Sequence, residues 1–186
     1  VAVVTNAGTE VCLSVDGGTN FFVTQLAGKL GIGERVKCIV VSAGYGNNSH
    51  ELAIGTATGN GNGKVWVNII GRFPGAWQDL STGVPGWLRT SPASGVDVFA
   101  LKYSSAFAAD GTLLAIAASG PTSNTGDTFL YLGIRDLAAN KIIWNSSPGY
   151  PVEICQPGQD TPGTPLTYAD LALPSDYSGG NISQRH

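Results

Sequence analysis

The stretch Val36-Lys37-Cys38-Ile39-Val40-Val41-Ser42-Ala43-Gly44-Tyr45, with Leu52-Ala53-Ile54 after a loop, decides the reading of this chain because it occurs twice. Its counterpart is Val98-Phe99-Ala100-Leu101-Lys102-Tyr103-Ser104-Ser105-Ala106-Phe107, with Leu114-Ala115-Ile116. In both copies the Leu-Ala-Ile triplet begins seven residues after the closing aromatic. Lys64-Val65-Trp66-Val67-Asn68-Ile69-Ile70 and Thr128-Phe129-Leu130-Tyr131-Leu132-Gly133-Ile134 follow, in register on this alignment. Each copy ends on a tryptophan segment, Ala76-Trp77-Gln78-Asp79-Leu80 in one and Ile142-Ile143-Trp144-Asn145 in the other. Short runs rich in β-branched and aromatic residues, parted by Gly/Asn/Ser/Pro clusters, read as strands and turns. The unit is therefore four strands, repeated at a period of about 60 residues.

Working outward, both ends carry partial units. Val1–Thr5, Thr9–Val15 and Asn20–Leu26 read as second, third and fourth strands with no first strand before them. Residues 168–177 match a first strand, closing aromatic included, with nothing apolar after it. The chain thus holds three units' worth of strands. The fold class expected is all-β, with β-propeller-like blades of four antiparallel strands in a single unit spanning 1–186. Blade 1 comprises 1–27 completed by 166–178, blade 2 is 36–82 and blade 3 is 96–147. The inner strands are expected around 39–41, 99–101 and 171–173. A tandem β-sandwich is the alternative, disfavoured because the Ig-type Cys…Trp…Cys spacing is missing.

The segment Ser14-Val15-Asp16-Gly17-Gly18-Thr19-Asn20-Phe21 resembles the Asp-box of BNR repeats in sialidase-like propellers. The resemblance implies a structural turn built from Ser14, Asp16, Gly18, Thr19 and Phe21. Asp16 would accept turn amides and Phe21 would anchor the next strand in the core. The corresponding stretches of the other units, 71–77 and 136–140, are degenerate. Propellers close with about 4–8 blades. Three blades imply a homo-oligomer, a sister chain completing the ring, or a piece of a longer propeller. Exchange of 171–173 between chains is the expected closure.

Composition narrows the function. Charged residues make up 12% and the net charge is −3, which gives no electrostatic footprint for nucleic acid. No apolar run is long enough to span a bilayer. The start at Val1 carries no signal peptide, and a chain without Met reads as one cut from a precursor or longer protein. The sequons at Asn47, Asn145 and Asn181 are candidate glycosylation sites and fit a secreted, extracellular location. Cys12, Cys38 and Cys155 cannot all pair within one chain and form no zinc pattern, so no metal or cofactor is expected.

The titratable residues form no recognisable catalytic set. A sialidase resemblance implies three arginines gripping a carboxylate, a Tyr/Glu nucleophile pair and an acidic Asp. Arg35, Arg72, Arg89, Arg135 and Arg185 are the arginines, and none falls on an inner strand; Arg72 and Arg135 read as solvated turn charges. Glu10, Glu34, Glu51 and Glu153 are too few to suggest a carboxylate pair. His50 and His186 have no nucleophile in a recognisable motif. No catalytic residue is assigned. Trp87, in Pro85-Gly86-Trp87-Leu88, is a candidate for stacking on a sugar or for packing between blades. The function expected is an extracellular structural or assembly module, not an enzyme. The alternatives are a carbohydrate-binding module, or part of a glycoside hydrolase whose catalytic residues lie elsewhere.

Overall fold

The computed structural model describes residues 1–71, 75–87, 95–119, 128–155, 166–181 and 183. They form an all-β structure of three antiparallel sheets. The first sheet is β1 (Ala2–Thr5), β2 (Glu10–Leu13) and β3 (Phe22–Val23), in that order. The second is β4 (Arg35–Val41), β5 (His50–Ala57), β6 (Val65–Ile70) and β7 (Gln78–Asp79). The third is β8 (Val96–Tyr103), β9 (Thr112–Ser119), β10 (Thr128–Asp136) and β11 (Lys141–Trp144), with one short helix, α1 (Phe107–Asp110), between β8 and β9. A fifth strand, β12 (Val152–Cys155), pairs with the first half of β10. Apart from β12, the strands of each sheet follow chain order as a meander, because short turns can join only antiparallel neighbours.

Nearly every residue of β5 and β9 is buried on both faces, so these sheets must be covered from both sides. The cover comes from stacking. In the second sheet the cross-strand row Ile39–Ile54–Trp66 faces the first sheet and packs with Val11, Leu13 and Leu26. In the third sheet the row Leu101–Ala115–Tyr131 faces the second and packs with Ala53, Val65 and Val67. Strand order and the relation of face to neighbour are the same in both contacts, so the front of each sheet lies on the back of the one before it. Two tryptophans pin this arrangement. Trp77 Nε1 donates to Thr24 O at 3.1 Å, just past β3. Trp144 Nε1 donates to Leu80 O at 2.7 Å, just past β7. At Gly55 the second and third sheets come so close that a Cβ would sit 2.5 Å from Val98 on β8, with Cys38 Sγ of its own sheet 2.6 Å away.

The repeat is real in the first strands, where β4 and β8 both carry a bulge, after Val36 and after Val98. It is out of register beyond them. Val41 pairs with Leu52, but Tyr103 pairs with Leu113, one residue sooner. The ladder therefore equates Ile54 with Ala115, not with Ile116. A one-residue slip turns every side chain to the other face, which is why Leu114 lies on the back of its sheet while Leu52 lies on the front of its own.

The C-terminal strand expected at 166–178 is a correction, since residues 166–181 form no strand and complete no blade. Leu171, Leu173 and Tyr177 instead lie over the back of the third sheet, against Leu114, Leu130, Leu132 and Ile134. The segment is tied down by Ser105 Oγ to Ser175 O (2.6 Å), Ser104 Oγ to Tyr177 O (3.1 Å) and Gly179 N to Asp110 Oδ2 (2.9 Å). Its alternating apolar residues report one-sided contact with a sheet face, a pattern that strand pairing shares.

Trp144→Phe removes the indole donor and leaves the Leu80 carbonyl unpaired. It is expected to cost about 1–3 kcal/mol, read as a lower urea midpoint with unchanged slope. An unaltered midpoint would refute the pinning role.

Candidate functional site

The Asp16 turn joins β2 to β3. Asp16 Oδ1 accepts from Ser14 Oγ (2.7 Å), Thr19 N (3.1 Å) and Asn20 N (3.0 Å), and Oδ2 accepts from Asn20 Nδ2 (2.7 Å). Ser14 Oγ also receives Gly18 N at 2.8 Å, and Thr19 Oγ1 donates to Asp16 O. The Asn20 amide first, then the Ser14 hydroxyl and the Asn20 side chain, hold the Asp16 carboxyl well below the usual carboxylate range. Gly17 and Gly18 supply the positive φ the turn requires. In the third unit Asp136, at the end of β10, likewise accepts Ala138 N and Ala139 N. Phe21 departs from expectation. It is 47% exposed and anchors nothing in the core.

Arg135 is the second correction. It is no solvated turn charge but a buried side chain, 4% exposed, whose Nε and Nη2 both bind the Glu51 carboxylate across the second and third sheets. Tyr103 Oη donates to Glu51 Oε2 at 3.2 Å, and Arg135 Nη2 also reaches Asn140 Oδ1 at 2.7 Å. A tyrosine, a glutamate and an arginine in contact are part of the set the sialidase resemblance implies. Here, however, all three are sealed inside the sheet contact, where no substrate can reach them. Burial, and then the neighbouring Glu51 charge, push the Tyr103 phenol well above its usual range, so it stays protonated and serves as a donor. The trio works as a clamp between sheets. Arg72, Arg89, Arg185 and His186 lie outside the described residues.

Trp87 is 3% exposed, its ring covered by Trp144 (4.8 Å between centroids) and Tyr131 (5.2 Å), so no face is open to a sugar. Of the sequons, Asn47 and Asn181 are exposed, whereas the Asn145 amide is engaged, donating to Gly86 O and accepting Leu132 N. A glycan on Asn145 would be carried by the same nitrogen that donates to Gly86 O. His50 Nδ1 lies 3.0 Å from Ser42 O. Cys12 and Cys38 are free thiols, and burial pushes Cys38 up to about 12. Among the described residues no three His, Cys, Asp or Glu side chains gather as a metal site, and no helix is long and apolar enough to cross a membrane.

The sequence pattern left one region unremarked, the front of the first sheet. Val1, Val3, Phe21 and Val23 are exposed there, between 42% and 62%, with Cys12 among them. Phe21 stands three residues before Thr24, as Trp77 stands three before Leu80, and these two carbonyls receive the tryptophan N–H bonds. By that spacing Phe21 is the counterpart of Trp77 and Trp144, which are 6% and 1% exposed. The same front-face aromatic is buried wherever a sheet precedes it and open where none does. Exposed large apolar side chains scattered singly are ordinary, but a contiguous group marks an interaction surface. No protein-family model, curated protein or solved structure matches the chain.

Two measurements follow from this geometry. Glu51→Leu strands a buried guanidinium and is expected to cost about 3–5 kcal/mol, whereas Glu51→Leu with Arg135→Met recovers most of it. Equal losses in the single and double variants would show that the pair is not coupled. For pH, burial raises the Asp79 carboxyl, but hydrogen bonds from Ser81 and Thr82 outweigh it and bring the value from 3.8 down to about 2. A depressed folded value gives stability that is whole above the unfolded value and lost as pH falls towards the folded one. Urea midpoints should thus decline less steeply between 3.8 and about 2 in Asp79→Asn than in the parent. Identical slopes would contradict the assignment.

Proposed function

We propose that this chain is an extracellular structural module made of propeller-type blades of the BNR/Asp-box kind, and that it works by self-association. The blade reading is supported by the meander sheets, by front-to-back stacking repeated at two contacts, and by the amide-capped Asp16 turn between the third and fourth strands of its unit. The single observation that carries the assembly reading is the open front of the first sheet. A surface whose counterparts are buried at 6% and 1% is left in water, including an aromatic at 47% and Val23 at 58%. Three blades fall short of the roughly four needed to close a propeller, so the missing neighbours come from a second copy or from further blades of a longer propeller, and the open apolar front favours the second copy. For the carbohydrate-binding alternative, Trp87, the residue named for stacking on a sugar, has its ring covered by Trp144 and Tyr131. The hydrolase alternative places its catalytic residues elsewhere; the Tyr103, Glu51 and Arg135 of this chain serve the inter-sheet clamp.

Sedimentation velocity across a range of protein concentrations tests the proposal. The intact chain is expected to shift reversibly to a larger species, and Phe21→Asp, which alters an exposed side chain, to weaken that association by at least tenfold. A chain that sediments as a monomer at every concentration, both intact and with residues 166–186 deleted, refutes it.

A further inference from the structure

We infer that the C-terminal segment 166–181 is an intramolecular plug, occupying the surface that the first sheet of a second copy would otherwise take. The inference rests on the self-association reading and adds to it the second surface and a control on it. Each contact between sheets inside the chain joins a front to a back. The only open front among the described residues belongs to the first sheet. The matching back is that of the third sheet, formed by Leu114, Leu130, Leu132 and Ile134. That back is covered by 166–181, which contributes Leu171, Leu173 and Tyr177 but pairs with no strand.

The two kinds of cover differ in physical character. Where one sheet covers another, an indole N–H and a continuous apolar row hold the contact. Where the segment covers the third sheet, hydrogen bonds tie Ser175, Tyr177, Ser178 and Gly179, at one end of it, to Ser104, Ser105 and Asp110. The stretch before Pro174 makes apolar contacts, Leu171 and Leu173 on the back of the third sheet and Leu166 and Ala169 on Phe99 and Ala118 of that sheet and Ala57 of the second, with Tyr168 at 74% exposure facing water. Such a cover satisfies the apolar back without committing a strand edge, and it can be lifted without opening a sheet. The occupant that fits in its place is the front of the first sheet of a second copy, because it repeats the front-to-back contact already made twice within the chain. Both partner surfaces are apolar, with no charged side chain among the residues named. Two copies joined in this way at both ends close a ring of six blades, inside the propeller range of about 4–8. The plug lowers the competent fraction of each copy, and apparent affinity falls by that fraction.

Gly179→Val is the direct test. A Cβ at Gly179 would collide with the Thr112 side chain on β9, so the substitution expels the segment while leaving every sheet residue unchanged. In sedimentation velocity the variant should associate about tenfold or more tightly than the parent. Deletion of 166–186 serves as the second variant and should do the same. Phe21→Asp placed in either background should return the protein to monomer. Association that is tighter on release and lost with Phe21→Asp supports the plug, whether it stops at two chains or runs on. If the parent associates through Phe21 but neither release variant tightens it, the plug is overturned and the self-association reading stands. Tightening that Phe21→Asp does not reverse overturns it too, since the exposed back would then have another occupant. A chain that is monomeric in parent and release variants alike removes the self-association reading itself.

Discussion

A strand apolar on both faces cannot lie at the surface of a sheet stack, and β5 and β9 are such strands. From Glu51 to Ala57 and from Thr112 to Ala118 every residue is buried. Everything else in the architecture answers to that requirement. The second sheet has the first on its front and the third on its back, and the third sheet has the second on its front and residues 166–181 on its back. The tryptophans fix how far apart the layers sit, since an indole N–H donating to a carbonyl of the preceding sheet permits only a narrow range of separations. The first sheet has shorter strands and a cover on one side only, which is where the open apolar surface arises.

Charge is scarce in this chain, and much of it is spent inside. Glu10 accepts the amides of Val11, Leu26 and Ala27, and Glu34 accepts the Gly31 amide, the Thr56 hydroxyl and Trp66 Nε1. Asp97 on β8 takes the amides of Thr58, Gly59 and Gly63 from the hairpin of the neighbouring sheet. Glu51 meets Arg135. Each buried carboxylate is surrounded by donors, which is the condition under which a charge can be buried at all. They order loops and register sheets.

Much of the fold was legible because strands and turns leave local marks. The four-strand unit, the order of strands and the turn at Asp16 all come from short-range patterns. Three features did not, for separate reasons. The slip between repeats depends on one residue in a loop, and matching Leu-Ala-Ile triplets conceal it because both faces of those strands are apolar. The burial of Arg135 depends on Glu51, distant in sequence and on another sheet, so no local pattern carries it. Residues 171–177 alternate like a strand, yet alternation reports only that one side meets something apolar. The open surface was half-readable, since the spacing from Phe21 to Thr24 matches that from Trp77 to Leu80, but the match means something only once the indole acceptors are known.

Front-to-back stacking also makes the molecule nearly one-dimensional, with sheets touching only the layers next to them. In such arrays stability is a sum of unit terms and nearest-neighbour terms, so opening starts at an end and travels inward. The two ends here are unequal. The third sheet carries long strands, a fifth strand and an anchored cover, whereas the first has a two-residue β3 and a bare front. Amide exchange would therefore be graded along the stack, fastest in β1 to β3 and slowest in the middle of β5 and β9. The surface offered for assembly belongs to the layer that fluctuates most, so a partner seated there would quiet the very sheet it binds.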